Sequence, residues 1–382
     1  MVSTLSPTAS PVTQLDEILA LIGTTLEITA TQRSAAEQHY LAIARWLGGV
    51  EGAPFRLYEP QIYPQGSLRL GTTVKPLSNG EYDLDLVYEL QVDYTHIPKP
   101  VALIDMLYDR LRDHGTYRDM VERKNRCVRV NYEGQFHLDI LPAALDRACG
   151  GTCVRVPDCS TQGWKPSNPK GYAAYFDARA ATVEFAERSF KASVEPLPDH
   201  VPHEAKTSLQ REVQLIKRLR DITFADNCDL APISIVLTTL AANNFSGERS
   251  VALVIGQTFD SIVAQIPTRG RLYVFNPSNP EEDLSERWDK CPEAYLAFCE
   301  AMRRWQRAWN ALLELRGVDR VVAELERMFG PAPVRKAIDE QIRVLEKSRR
   351  QGRLGVDGAG VVVTTAVTAV HTPVPKNTFY GG

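Results

Sequence analysis

Apolar residues recur along this chain with two different periods, and the changes of period divide it. Leu15, Ile18, Leu19, Ile22 and Leu26 fall three to four residues apart, the spacing of one buried helix face. Tyr40, Ile43 and Leu47 repeat that spacing and stop at Gly48-Gly49, a pair that ends helices. Both helices are expected to brace a sheet from behind. Beyond them the period shortens to two. Around Asp83-Leu84-Asp85-Leu86, and on both arms flanking Glu133-Gly134, apolar and polar positions alternate, as half-buried strands require. The second pair of arms, R-C-V-R-V-N-Y from Arg126 and Q-F-H-L-D-I-L-P in return, reads as a β-hairpin.

Past the sheet region the helical period returns. Residues 207–224 carry apolar side chains at 209, 213, 216 and 219, and A-P-I-S-I-V-L-T-T-L-A-A opens a further helix with Pro232 suited to its first turn. Tyr295, Phe298, Met302, Trp305, Trp309 and Leu312 form one stripe, and Val334, Ile338, Ile342 and Leu345 another. Aromatic stripes of this kind are core surfaces. The expected fold class is α/β of the α+β kind, with a mixed central sheet in one lobe and helices in a second. Residues 1–12 read as a flexible Ser/Thr/Pro leader, 13–165 as the sheet lobe with its bracing helices, 166–350 as the helical lobe and 351–382 as a flexible tail. Within that tail V-V-V-T-T-A-V-T-A-V reads either as a strand or as a linker.

Composition narrows the function classes. With 382 residues, 44% of them hydrophobic, the chain can bury one large core or two smaller ones. Lys and Arg number 44 against 47 Asp and Glu, a net charge of -3, unlike a protein that grips a long polyanion. A stable nucleic-acid partner is therefore not expected. No run of about 18 apolar residues occurs, and M-V-S-T-L-S-P lacks the basic and apolar regions of a signal peptide. A cytoplasmic protein with no membrane partner is expected. The seven cysteines are odd in number and irregularly spaced, which suits reduced thiols; Cys149, Cys153 and Cys159 match no zinc spacing.

The chemistry concentrates on the strands. Side chains two apart on a strand project together, so Asp83 and Asp85 share one face while Leu84 and Leu86 enter the core. Two carboxylates in a partly dry site repel unless a cation separates them, and hard oxygen donors suit Mg²⁺. On the return arm of the hairpin Phe136, Leu138 and Ile140 face one way and His137 and Asp139 the other. Placed beside the first strand, Asp139 completes a trio able to hold two divalent cations, Mg²⁺ or in substitution Mn²⁺. Upstream, Pro64-Gln65-Gly66-Ser67 reads as a strand ending in a tight turn. Its glycine admits a phosphate close to the backbone and Ser67 offers an N–H and a hydroxyl.

Gly66-Ser67, Asp83-Leu84-Asp85 and Leu138-Asp139-Ile140 together resemble the signature of polymerase-beta-type nucleotidyltransferases. More narrowly they resemble the bacterial cGAS/DncV-like nucleotidyltransferases, the CD-NTases, which make cyclic di- and trinucleotide signals in anti-phage defence. The stretch W-K-P-S-N-P-K-G-Y at 164–172 is similar to one found between the sheet and the helical lobe of bacterial members. The resemblance implies a cyclic oligonucleotide synthase using ATP, with GTP or other nucleoside triphosphates as further substrates. It also implies that Lys217 and Ser234 hold the triphosphate, and that a downstream effector responds to the product. Ile235 stands where the animal cyclic GMP-AMP synthase has a base-stacking aromatic residue. A linear oligoadenylate or RNA-end transferase is the enzymatic alternative, and an inactive nucleotide-binding adaptor the other. In related operons a ubiquitin-type enzyme conjugates the synthase through its C-terminal glycine, which makes Gly382 a candidate conjugation point, an inert terminus being the other reading.

Overall fold

The computed structural model describes residues 11–48, 56–77, 81–181 and 206–351, with three short strands beyond them. Helices α1 (Pro11–Thr25) and α2 (Ala30–Gly48) lead. Then come β1 (Gln61–Gln65), the single turn α3 (Gly66–Arg69), β2 (Tyr82–Asp93) and α4 (Ala102–Arg112). Strands β3 (Val121–Arg123), β4 (Val128–Tyr132), β5 (Phe136–Leu145), β6 (Val154–Asp158) and β7 (Gly163–Ser167) complete one sheet.

Its spatial order is β1-β2-β5-β4-β3, with β6 on β5 and β7 on β6. β2 and β5 are parallel and the other neighbours antiparallel, so the sheet is mixed as expected. A parallel pair needs a long crossover, and α4 with β3 and β4 lies between β2 and β5 in the chain. The period-two pattern sorts the faces: Leu84, Leu86, Leu138 and Ile140 are buried at 2% exposure or less. They pack on α2 through Tyr40, Ile43 and Leu47 and on α4 through Ile104 and Leu107.

The second core is helical. It is built from α5 (Pro169–Ala180), α6 (Ser208–Thr223), α7 (Ser234–Asn244) and α8 (Val251–Gln265). A hairpin of β8 (Phe275–Asn276) and β9 (Asn279–Asp283) follows, then α9 (Arg287–Lys290), α10 (Pro292–Glu314), α11 (Val318–Phe329) and α12 (Pro331–Arg350). The α10 stripe is buried as expected. Along α12 Val334 is fully buried, whereas Ile342 is 49% exposed, so the stripe leaves the core before the helix ends. Helix α1 belongs here too: Leu19 and Ile22 are fully buried within the helical core, with α1 against α6, α8 and α12. The bracing role thus falls to α2 and not to α1, because α2 and α4 already cover the apolar back of the sheet. Pro232 lies ahead of the first turn of α7 rather than in it, since Ile233 is extended.

Charged side chains join the two halves. Arg126 reaches Asp158 at 2.6 Å and Glu286 at 2.5 Å, Lys165 reaches Glu286 at 2.7 Å, and Arg155 bridges Asp146 and Glu281. In the 164–172 stretch, β7 ends, Asn168 caps α5 by accepting from the Gly171 N–H, and Pro169 occupies the first helical position. Lys170 then returns to Glu89 on β2.

The ends differ from expectation. Pro11 and Val12, assigned to a flexible leader, begin α1, and residues 1–10 lie outside the described set. In the expected flexible tail β10 (Leu354–Val356), β11 (Val362–Thr364) and β12 (Thr372–Pro373) pair antiparallel. A β-branched run meets its backbone hydrogen-bonding needs best by pairing. Gly382 lies outside the described residues. Cys149 is disulfide-bonded to Cys153, against the expectation of thiols throughout; the two lie in the turn from β5 to β6, where the chain folds back on itself. Among the described residues, no helix is long and apolar enough to cross a membrane.

Candidate active site

Strand register decides whether the three acids meet. Asp85 on β2 stands directly beside Asp139 on β5, and Asp83 beside His137, two residues along the same face. The parallel pairing therefore brings all three predicted aspartates to one face of the sheet, on its two central strands. Their surroundings differ. The Asp83 side chain is 57% exposed and that of Asp139 17%. The Asp85 carboxylate makes no hydrogen bond or ion pair among the described residues. Burial, reinforced by the Asp139 and Asp83 carboxylates, pushes its pKa up to about 7. Desolvation also raises that of Asp83, against the pull of Arg129.

The glycine-serine turn closes over Asp85. β1 pairs with β2 so that Gln65 faces Asp85, and α3 begins at the next residue. Gly66 has φ +62°, and a Cβ there would sit 2.2 Å from Asp85 Oδ2. Glycine is thus required twice, by backbone conformation and by contact with a carboxylate. The sequence suggested only close approach of a phosphate.

Helix α6 holds the segment that follows the turn. Gln210, Gln214 and Lys217 lie on one helical face. They donate to the carbonyls of Leu70 at 3.0 Å, Thr73 at 2.9 Å and Thr72 at 3.0 Å. The start of α6 is itself secured by a capping box between Thr207 and Gln210. Lys217, read from the sequence as a residue beside the stripe, is 8% exposed. Burial first and Arg220 second bring its pKa down to about 8, while Asp221, Asp85 and Asp83 oppose them. Ser234 opens α7, and its hydroxyl accepts from Arg220 Nη1 at 2.6 Å. Lys217 thus lies within electrostatic reach of Asp83 and Asp85, while Arg220, itself paired with Asp221, holds the Ser234 hydroxyl.

Two members of this site escaped the sequence reading. Arg220 follows Lys217 by three residues, the spacing that shares a helix face, and that was its signal. Arg129 is the other. Its Nε and Nη2 each lie 2.7 Å from Asp139, and Nη2 also reaches Asp83 at 3.2 Å. The hairpin held the clue, because pairing Tyr132 with Phe136 across the Glu133-Gly134 turn places Arg129 opposite Asp139. Among the described residues no three Asp, Glu, His or Cys side chains are gathered closely enough to enclose a cation.

The family model for the Second Messenger Oligonucleotide or Dinucleotide Synthetase domain matches residues 14–179. The chain is 34% identical over 384 residues to a c-di-GMP synthase of Roseivirga ehrenbergii, covering 98% of this chain and 99% of that one. The chain belongs to the CD-NTase family. It is also 27% identical over 397 residues to the cyclic dinucleotide synthase CdnG of Bradyrhizobium diazoefficiens, covering 96% of this chain and 92% of the relative. The structure of the Bradyrhizobium diazoefficiens CD-NTase CdnG in complex with GTP superposes with a TM-score of 0.69 at 23% identity, over 86% of this chain and 99% of that one. The fold is accordingly the polymerase-beta-like fold with a mixed sheet, and the protein is a nucleotidyltransferase enzyme of the cyclic dinucleotide synthase class.

CD-NTases use divalent metals, and the aspartates of this CD-NTase suit such a group in donor chemistry, although their side chains are not drawn together around one point. Three carboxylates are a hard, all-oxygen donor set. Asp85 has no cation of its own, and Gly66 leaves its carboxylate room that a Cβ would fill.

Proposed function

We propose that this CD-NTase joins two molecules of GTP into a cyclic dinucleotide through Asp83, Asp85 and Asp139, with ATP and other nucleoside triphosphates as the competing substrates. The observation that carries the site is the register placing Asp85 beside Asp139 under the Gly66-Ser67 turn. The choice of GTP is supported by the c-di-GMP synthase, 34% identical over nearly the whole of both chains.

Two divalent cations, Mg²⁺ or Mn²⁺, held by the three aspartates would supply the positive charge that activates a ribose hydroxyl and steadies departing pyrophosphate. The remaining work belongs to the protein. Gly66 and Ser67 admit the triphosphate close to the backbone, and Lys217, Arg220 and Ser234 receive its negative charge. These contacts hold the α-phosphorus in line with the attacking hydroxyl, so that one O–P bond forms as the bond to pyrophosphate breaks. Repeating the transfer within the linear product closes the ring. Product release to an effector and a role in anti-phage defence are supported by the resemblance of the motifs alone.

Purified protein incubated with Mg²⁺ and all four ribonucleoside triphosphates, followed by mass spectrometry, tests the reading. Cyclic di-GMP should dominate, and pyrophosphate should appear in equal number to the bonds formed. Asp83→Asn with Asp85→Asn should abolish synthesis while the unfolding midpoint holds or rises, because repulsion between clustered carboxylates is removed. A double variant that still makes product would refute the assignment. A product without guanine would overturn the substrate choice alone.

A further inference from the structure

We propose that Arg129 is a latch on the cation site, a positioning residue that holds Asp83 and Asp139 until cations load and is then passed to the nucleotide phosphates. The inference rests on the two-cation reading above. Its basis is the geometry of one side chain. Arg129 lies on β4 directly opposite Asp139 in the antiparallel ladder. Its guanidinium grips both oxygens of Asp139 at 2.7 Å and still reaches Asp83 at 3.2 Å. A planar fork binding one carboxylate through two nitrogens is the strongest ion-pair geometry that side chains make.

Those same oxygens are the donors that cations need. A carboxylate oxygen engaged by the fork has fewer free lone pairs, and the guanidinium adds a positive charge beside any incoming cation. In the closed arrangement Arg129 thus competes with the ions it stands in for. Asp85 is left out of the grip, which leaves one unpaired carboxylate to receive the first ion. Release is feasible because the Arg129 side chain is 22% exposed, on the polar face of the sheet. Its partner across the other ladder is Glu122 on β3, already paired with Lys124 at 2.6 Å. Glu122 is therefore a weak alternative anchor for a displaced guanidinium. A bound triphosphate, with several charges and bidentate oxygen pairs, is the better one.

The test separates metal from nucleotide. Mn²⁺ binding is measured by electron paramagnetic resonance without nucleotide, in wild type, Arg129→Gln, Arg129→Lys and the Asp83→Asn/Asp85→Asn double variant. Binding of a non-hydrolysable GTP analogue at saturating Mn²⁺ is measured by calorimetry in the same proteins. Circular dichroism establishes that each is folded. Arg129→Gln should bind Mn²⁺ at least fivefold tighter than wild type and the GTP analogue at least fivefold more weakly. Arg129→Lys, which keeps the charge but not the fork, should fall between on both measures. It also carries the test should Arg129→Gln not fold. Saturable Mn²⁺ binding by wild type, lost in the double variant, with no tightening in either Arg129 variant would overturn the latch and leave the cation site standing. No saturable Mn²⁺ binding in wild type would overturn the cation site and the latch together. Tightened Mn²⁺ binding with unchanged analogue affinity would overturn the transfer to phosphate.

Discussion

Gly66→Ala tests the site at the point where two structural demands meet on one atom. The first demand is conformational. Gly66 sits at φ +62°, where an L-residue with a Cβ costs about 1–2 kcal/mol. The second is steric. The added Cβ would stand 2.2 Å from Asp85 Oδ2, about 0.8 Å inside the closest separation that real Cβ atoms show. Something must move, and Asp85 is the freer partner because no hydrogen bond or ion pair holds its carboxylate. The collision should therefore cost little stability and much activity. Displacing a catalytic ligand by about 1 Å lowers rate about 10²-fold. Denaturant unfolding should show a loss of about 1–2 kcal/mol, and pyrophosphate release at saturating nucleotide and Mg²⁺ a loss near two orders of magnitude. Gly71→Ala is the matched control. It has φ +69°, and its Cβ would meet the Gln210 amide at 2.7 Å instead of an acid. It should lose similar stability and keep most of its rate. Equal rate losses in the two variants would refute the claim that Gly66 protects the position of Asp85.

Two further outcomes follow from buried charge. Glu212 on α6 is fully buried beside Thr258, with neither carboxylate oxygen hydrogen-bonded among the described residues. Burial pushes its pKa from the ordinary 4.5 up to about 8. Between those values the folded chain keeps a proton that the unfolded chain has released, so this group's contribution to stability is lost as pH rises through the window, by up to about 1.4 kcal/mol per pH unit. Glu212→Gln should flatten that part of the stability profile from pH 5 to 8, and parallel profiles would contradict it. Arg126→Ala should open the junction between the halves. Although burial opposes it, the Arg126 contact helps bring the Asp158 pKa down to about 2. Removing Arg126 leaves Asp158 without its cation and Glu286 with Lys165 alone. A fully buried pair would cost about 3–5 kcal/mol, and because Arg126 is 35% exposed about 2 kcal/mol is expected by denaturant unfolding.

The site was legible where local pattern is enough. Alternation showed that Asp83 and Asp85 share a face and that Asp139 leaves the opposite side of its strand from Phe136, Leu138 and Ile140, because strand geometry alone dictates this. The helical stripe of residues 207–224 placed Lys217 on a largely buried helix for the same reason. Its amine proved to hold the Thr72 carbonyl, a partner 145 residues away that no period could reveal. Arg129 sat in plain view on the hairpin, yet its role depends on an ion pair with two different strands.

Chain order thus determined the kinds of element, the polar face carrying the acids and the glycine at the turn, since each follows from neighbours a few residues apart. Only the tertiary structure decided the rest. The parallel pairing of β2 with β5 put Asp85 beside Asp139. Competition for the back of the sheet sent α1 to the helical core while α2 stayed. Electrostatic crowding drew Arg129 across two of the carboxylates. These outcomes turn on contacts between distant segments, whose energies depend on what else fills the space, and a periodic pattern carries no record of that.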